Sequence, residues 1–248
     1  MENYTLTESY RLPSDGKLYG DKVNPEITLR SMTTVEEMKR LSHTDTPYKT
    51  IADVIDACIV SGGGISSYDM CIGDYQFLLH KLRVVTYGRK YNMNIICPYC
   101  GNIEPKETDL DELKVMKCPE DIETYFNIAL PVTQKSIHLR MQTPRILDII
   151  EKKNKDAATK AKGADQSLLI LLRNIIDTVD GVKPDEVMLD QFIRTLPMKD
   201  TNYIVKSTEK LNNLIGIDTS IKNVCSRCGV PYFTTFPFTS EFFGPSID

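Results

Sequence analysis

The chain has 248 residues and a net charge of −4, with 30 Lys and Arg against 34 Asp and Glu. Its 41% hydrophobic and 26% charged residues are typical of a folded globular protein. The acidic balance disfavours a general binder of nucleic acid or anionic membranes, because phosphate contacts need clustered Lys and Arg. No uncharged apolar stretch approaches the roughly 18 residues that cross a bilayer. Residues 1–20 lack the basic and apolar regions of a secretory signal.

The first part of the chain predicts short strands followed by helices. Alternating apolar positions and turn signals in residues 1–30 indicate the strands. Residues 33–41 predict a helix that begins with a capping threonine and has two glutamates in its first turn. A second helix is predicted over residues 48–60, and the glycine-rich residues 61–67 are predicted to form a flexible loop.

The next predicted helix has the clearest pattern in the sequence. Asp74 is predicted to cap it, and Gly88 is predicted to end it in the left-handed conformation that glycine tolerates. Between them, five apolar residues recur on one helical face: Tyr75, Leu78, Leu79, Leu82 and Val85. Residues 92–96 predict a strand that leads into a pair of cysteines. Residues 106–115 and 118–121 are predicted to form a loop or a short helix.

The second half predicts a similar mixture of elements. Residues 125–130 and 136–141 are predicted to form a hairpin. The dipeptide Thr143-Pro144 predicts the start of a helix that runs to about Lys153, since a capping hydroxyl precedes a proline at the first helical position. The remaining predictions are a Lys- and Ala-rich connector to Gly163, helices over 168–179, 184–195 and 200–212, and a strand over 214–224.

The C-terminal tail is rich in phenylalanine. Five of the eight phenylalanines follow residue 232, namely Phe233, Phe236, Phe238, Phe242 and Phe243. Such a tail is too apolar to stay loose in water, so it packs either on its own chain, beside a pair of cysteines, or on a neighbouring subunit. If the tail only contacts a neighbour, truncation after Gly229 is expected to leave the fold largely intact.

The chain also carries signs of an internal repeat. Residues 27–33 and 137–143 share the pattern Ile-x-Leu-Arg-x-x-Thr, and each follows a Leu-Pro turn. In each half the order is hairpin, capped helix, further helices and a Cys-x-x-Cys-Gly motif. The predicted fold class is therefore α+β, with short hairpins and several helices. Its halves, residues 1–121 and 122–248, are either related repeats or units that are alike by chance, and they form two domains or one folding unit.

Seven cysteines without a signal peptide indicate metal or redox chemistry rather than a disulfide framework. Four of them form two pairs, Cys97-Pro-Tyr-Cys100 and Cys225-Ser-Arg-Cys228, and each pair is followed by glycine. Two residues between cysteines let one tight turn bring both thiolates to one ion, and the glycine permits a positive φ. We predict that these four cysteines bind one structural Zn²⁺.

Other roles for the cysteines have less support from the sequence. Residues 101–224 separate the pairs, far more than the roughly 15–20 residues of a zinc ribbon, so the fold must bring them together. The first pair also has the active-site sequence of glutaredoxins. In glutaredoxins this dithiol lies at the start of a helix, whereas residues 101–105 of this chain do not continue a helix. Cys118 follows the first pair at ribbon spacing but lacks a second cysteine at 121. Cys58 and Cys71 are predicted to be buried thiols.

No catalytic constellation is evident. The glycines at 62–64 are not followed by the Lys-Ser/Thr of a phosphate-binding loop. The three histidines are isolated in sequence, and no pair of carboxylates has the pattern of a general acid/base couple. The sequence therefore predicts a protein that is not an enzyme and has no small-molecule substrate.

Six stretches spread over most of the chain carry a family resemblance: Leu12–Tyr19, Ile27–Arg30, Gly73–Arg83, Thr86–Tyr91, Cys97–Cys100 and Glu241–Pro245. In them the chain resembles the baseplate hub and hub-assembly proteins of T-even-type contractile-tailed bacteriophages. The resemblance implies a non-enzymatic subunit or assembly factor that is made in the host bacterial cytoplasm. It further implies a place in the virion tail baseplate, in a multimeric assembly with other baseplate subunits.

Two other classes of protein stay open at this point. A zinc-ribbon phage protein associated with nucleic acid predicts a basic face near the cysteine pairs, where only Lys222 and Arg227 lie close in sequence. A thiol–disulfide oxidoreductase predicts metal-free dithiols that turn over. The zinc site is predicted from the cysteines alone, and the resemblance supplies only its setting.

Overall fold

The computed structural model describes residues 5–160, 167–236 and 242, and its α+β class confirms the prediction. In these residues the α-helices are α1 Thr34–Arg40, α2 Pro47–Cys58, α3 Ile72–Tyr87, α4 Ile122–Phe126, α5 Pro144–Lys160, α6 Ser167–Ile175, α7 Glu186–Thr195 and α8 Met198–Asn212. The strands are β1 Thr7–Arg11, β2 Asn24–Arg30, β3 Ile59–Gly63, β4 Lys90–Ile96, β5 Ile103–Asp109, β6 Val115–Met116, β7 Asn127–Ala129, β8 Ser136–Leu139, β9 Ile176–Val179, β10 Gly216–Ile217, β11 Ser220–Val224 and β12 Pro231–Thr235. No helix of the described residues is both long enough and apolar enough to span a membrane.

The N-terminal sheet is antiparallel with the order β1-β2-β3, and α1 and α2 connect β2 to β3. Strand alternation places Ile27 and Leu29 of β2 in the core, where neither is exposed. Thr33 caps α1 in a capping box with Glu36, which confirms the predicted capped helix. Arg30 hydrogen-bonds to the same carboxylate at 2.7 Å and lowers the pKa of Glu36 to about 2.

The same chain path recurs in the second half. An antiparallel sheet has the order β7-β8-β9, and α5 and α6 connect β8 to β9. Ile137 and Leu139 of β8 are fully buried, at the positions that correspond to the buried pair of β2. Thr143 again caps the following helix, because its hydroxyl accepts a hydrogen bond from the Ile146 amide at 3.3 Å. The predicted hairpin is confirmed, while a common origin of the halves stays a prediction.

A buried aspartate ties each hairpin loop to a later helix. Asp74 of α3 accepts hydrogen bonds from the Ser14 amide at 3.0 Å and the Tyr19 hydroxyl at 2.6 Å. Asp200 of α8 accepts hydrogen bonds from the amides of residues 132–133 at 2.8 and 2.9 Å. Each fully buried carboxylate therefore has its hydrogen-bonding capacity satisfied by groups of the hairpin loop.

Helix α3 differs from its prediction in two ways. It begins at Ile72, so Asp74 lies in its first turn and does not cap it. The predicted apolar face is buried, but so are His80 and Arg83 on other faces, because α3 is enclosed by neighbouring elements on most sides. This burial lowers the pKa of His80 to about 3. Gly88 ends the helix, as predicted, but with a φ of +87° and a ψ of 171° it adopts an extended positive-φ conformation and not the left-handed one that was expected.

The glycine-rich stretch predicted as a loop begins as part of a strand. Residues 61–63 belong to β3, which pairs with β2. A Cβ atom added at Gly62 would lie 1.8 Å from the carbonyl oxygen of Glu26, and the φ of Gly62 is +86°. Glycine at this position therefore permits a close approach of two backbones.

Four further predictions were wrong in their boundaries or type. Residues 106–109 of the stretch predicted as a loop or short helix belong to β5, although a short 3-10 helix follows at Leu110–Glu112. The strand predicted over 214–224 is divided into β10 and β11. Helix α5 continues to Lys160, through Ala- and Lys-rich sequence that favours helix. The apolar run 168–179 is helical only to Ile175 and then forms β9, since a continuous apolar run does not distinguish a buried helix from a buried strand.

Two phenylalanines of the tail pack into the N-terminal core. Phe236 and Phe242 are almost completely buried, and their ring centroids lie 5.1 and 5.6 Å from that of Tyr91. The Nε atom of Arg83 donates a hydrogen bond to the Phe242 carbonyl oxygen at 3.0 Å. At these residues the tail packs on its own chain. Truncation after Gly229 would remove part of the core, so the condition under which it was expected to leave the fold largely intact, a tail that contacts only a neighbour, is not met.

The remaining tail phenylalanines differ in position. Phe233 is 71% exposed, whereas Phe238 and Phe243 lie outside the described residues.

Strand β10 pairs with β6, so a second contact joins the predicted halves. Nearby, a Cβ atom added at Gly73 would lie 2.2 Å from the carbonyl oxygen of Ile215, which shows how closely the backbones approach.

Candidate metal centre

Each cysteine pair lies in the turn of a β-hairpin. Strands β4 and β5 flank the first pair, and β11 and β12 flank the second. The amide of Cys97 donates a hydrogen bond to the Asn102 carbonyl at 2.9 Å, and the amide of Cys225 donates one to the Val230 carbonyl at 3.2 Å. The two turns therefore close in the same way.

The glycine after each pair has the backbone conformation that the sequence predicts. Gly101 and Gly229 both have a φ of +69°. The amide of each glycine donates a hydrogen bond to the carbonyl of the first cysteine of its pair at 2.9 Å. A Cβ atom at either position would have no neighbour within 4 Å, so backbone conformation, and not space, favours glycine here.

The two hairpins pack against each other beside the cysteines. Ile95 from β4 and Tyr232 from β12 form a small hydrophobic cluster with Cys97 and Cys225, and all four are at most 7% exposed. Burial of these side chains holds the turns together although residues 101–224 separate them along the chain. This packing brings all four predicted ligands to one place.

The four sulfur atoms have the spacing of a tetrahedral metal site. All Sγ atoms lie within 4.8 Å of one another. The Sγ atoms of Cys97 and Cys228 are 3.8 Å apart, and those of Cys100 and Cys225 are 3.6 Å apart. A tetrahedron with zinc–sulfur bonds of about 2.3 Å has edges of about 3.8 Å. In the part of the chain that the structure describes, no other cluster of three or more His, Cys, Asp or Glu side chains has this compactness.

The environment of the sulfurs lowers the pKa of one cysteine and raises the pKa of another. Burial acts to raise the pKa of the Cys97 thiol, but the amides of Tyr99 and Cys100 lower it to about 7. The Cys228 amide acts to lower the pKa of Cys225, yet burial and hydrogen bonds with neighbouring sulfurs raise it to about 12. Thiolates this close repel each other, so a bound cation is what would let all four ionise together.

The other cysteines lie away from this cluster. Cys58 is buried in the N-terminal core and Cys71 in the second core, as predicted, and Cys118 is also buried in the second core. Burial raises the pKa of Cys118. At Cys97 the chain turns into β5, so no helix begins there as a glutaredoxin-like dithiol would require.

Sequence reasoning missed a hydrogen-bonded contact between the two hairpins. The Oε1 atom of Glu104, in β5, accepts hydrogen bonds from the Asn102 side chain and from the Ser226 amide, both at 3.0 Å. Ser226 lies within the second cysteine pair. The sequence signal for this contact is weak. Glu104 pairs with the buried Ile95 in the hairpin, so an acidic residue occupies a position on the face that packs against the other hairpin.

The comparisons with known proteins agree with the resemblance described above. The family model described as T4 bacteriophage base plate protein matches residues 1–244. A search of curated proteins found no match, and a search of solved structures also found none. Because the family model covers nearly the whole chain, we conclude that this chain belongs to the T4 bacteriophage base plate protein family.

Proposed function

We propose that the chain is a structural subunit or assembly factor in the hub region of a contractile phage tail baseplate, stiffened by one Zn²⁺ bound to Cys97, Cys100, Cys225 and Cys228. The observation that carries this proposal is the tetrahedral spacing of the four sulfurs in a member of a baseplate family. Four soft thiolates and no water-accessible histidine or carboxylate ligand are typical of a closed, structural zinc site.

Zinc would act as a cross-link between distant parts of the chain. It would join the β4–β5 hairpin, in the middle of the sequence, to the β11–β12 hairpin near its end. Structural zinc contributes roughly 10–16 kcal/mol of apparent free energy in small peptides. That is comparable with the whole stability of a typical domain, about 5–15 kcal/mol, so the cross-link would fix the relative position of the two hairpins.

Membership of a baseplate family supports a location in the virion tail, and we propose that the protein acts there through contacts with other baseplate subunits. Exposed apolar side chains lie around both cysteine pairs. Ile96 and Val224 each directly precede a pair and are 61% and 63% exposed. Ile103 and Phe233, on the second strand of each hairpin, are also exposed. Rigid apolar surfaces of this kind suit assembly into a multimeric structure.

The two competing functions gain no support from the site. Lys222 precedes the second pair and Arg227 lies within it. The carboxylate of Glu104 accepts a hydrogen bond from the Ser226 amide of the same turn, so the site lacks the clustered positive charge that nucleic acid needs. A thiol–disulfide oxidoreductase needs an isolated reactive dithiol, whereas here two pairs converge. We therefore propose neither an enzyme nor a protein that binds a small-molecule substrate.

We also propose that residues 1–121 and 122–248 are related halves that fold as one unit. The recurrent sheet order, the capping threonines and the two buried aspartates support a relationship. The burial of Phe236 and Phe242 in the N-terminal core supports a single folding unit. In that arrangement the cysteine pairs are equivalent parts of the two halves, and the zinc would lie between them.

Phage assembly tests the proposed function. In cells infected by a phage that lacks this protein, a Cys97→Ser variant supplied in trans is expected to yield few complete baseplates, because one zinc ligand is lost. A Cys118→Ser variant, which changes a buried cysteine outside the cluster, is expected to restore assembly. Electron microscopy and infectious titre measure both. Equal assembly with the two variants would contradict the proposed role of the metal site.

A further inference from the structure

The two cysteine turns differ at one backbone position. The residue after the first cysteine is Pro98 in one turn and Ser226 in the other. Proline has no amide hydrogen, so the first turn has no donor to satisfy at this position. The second turn has such a donor, and the Ser226 amide gives its hydrogen bond to Glu104 of the opposite hairpin at 3.0 Å.

Glu104 is held so that its carboxylate reaches across the two hairpins. The Asn102 side chain donates a second hydrogen bond to the same Oε1 atom, and its amide nitrogen also lies 3.5 Å from the Ser226 hydroxyl. The hydrogen bond from Ser226 is the main cause of the lowered pKa of Glu104. The carboxylate therefore connects β5 directly to the turn that carries Cys225 and Cys228.

We infer that Glu104 is a positioning residue for the metal centre: by holding the Ser226 amide it places the second cysteine turn against the first before a metal ion binds. This inference rests on the proposed zinc site. The corresponding position in the other hairpin is occupied by Tyr232, which packs on Ile95 of the first hairpin but whose buried hydroxyl has no hydrogen-bond partner among the described residues. Of these two positions, only that of Glu104 forms a hydrogen bond to the opposite cysteine turn, so a single substitution removes it.

Metal affinity is the property that this contact should control. Residues that orient the ligands of a metal site typically change affinity by about 10–100-fold when they are removed. We expect Glu104→Ala to weaken Zn²⁺ binding by a factor in that range and Glu104→Gln, which keeps a carbonyl acceptor, to recover most of the loss. Glu107→Ala is the matched control, since Glu107 lies on the same strand and pairs with Lys90 at the surface.

Competition between the full-length protein and a chromophoric chelator for Zn²⁺ tests the inference. A double-mutant cycle makes it specific: Ser226→Pro removes the amide donor, so Glu104→Ala should then change affinity by less than about twofold. Circular dichroism of the zinc-saturated variants checks that the fold is kept. A wild-type protein that binds no zinc would overturn the proposed metal site. A wild-type protein that binds zinc no more tightly than Glu104→Ala would overturn only the role of Glu104.

Discussion

Replacing Phe242 with alanine is expected to lower the free energy of unfolding by about 3–5 kcal/mol, as large-to-small changes at buried aromatic residues do. The Phe242 side chain is fully buried, and its ring centroid lies 5.4 Å from that of Phe236 and 5.6 Å from that of Tyr91. Alanine would leave a cavity against α3 that these rings cannot fill. Urea denaturation followed by circular dichroism measures the change.

Phe233 provides the control for this substitution. It lies in the same tail but is 71% exposed, so Phe233→Ala is expected to change stability by no more than about 0.5 kcal/mol. The contrast separates packing within the chain from a general effect of removing phenylalanine. If Phe242→Ala were as stable as Phe233→Ala, the tail would not be part of the core.

The second large effect is expected at the metal centre. Cys225→Ser should abolish stable zinc binding, because the hydroxyl is a poor substitute for a buried thiolate ligand. We expect a loss of at least about 5 kcal/mol of stability, which for a chain of this size corresponds to a fall in Tm of about 10–20 °C. Differential scanning calorimetry with and without added zinc measures it.

Two controls accompany this prediction. A chelator should lower the Tm of the wild-type protein to a similar extent and should leave the Tm of Cys225→Ser unchanged. Cys118→Ser, a buried thiol of the second core, should keep its zinc and its response to the chelator. Retention of zinc by Cys225→Ser would mean that this cysteine is not a ligand.

The candidate site was predictable because its chemistry is local in sequence. Each Cys-x-x-Cys-Gly motif specifies its own turn, and the positive φ of Gly101 and Gly229 follows from that turn. The convergence of the pairs followed from ligand number, since zinc needs four sulfurs and each turn supplies two. The contact between Glu104 and Ser226 was not predictable in this way, because its partners lie far apart along the chain and only the packed hairpins bring them together.

The fold was predictable where a pattern has one physical meaning. Thr33 and Thr143 each cap a helix because a hydroxyl at that position satisfies an otherwise free amide. The run 168–179 was ambiguous, since burial favours apolar residues in helices and strands alike. Gly62 was predicted to lie in a flexible loop, but it lies in a strand. Glycine is needed there because the backbone closely approaches that of Glu26, and this approach depends on tertiary structure.

Elemental analysis of the purified wild-type protein, combined with thiol titration before and after chelation, tests the zinc cross-link most directly. We expect about one zinc ion per chain and four thiols that become reactive only when the chelator removes it, namely Cys97, Cys100, Cys225 and Cys228. Protein that is folded, free of metal and unchanged in its thiol reactivity by the chelator would contradict the existence of the site.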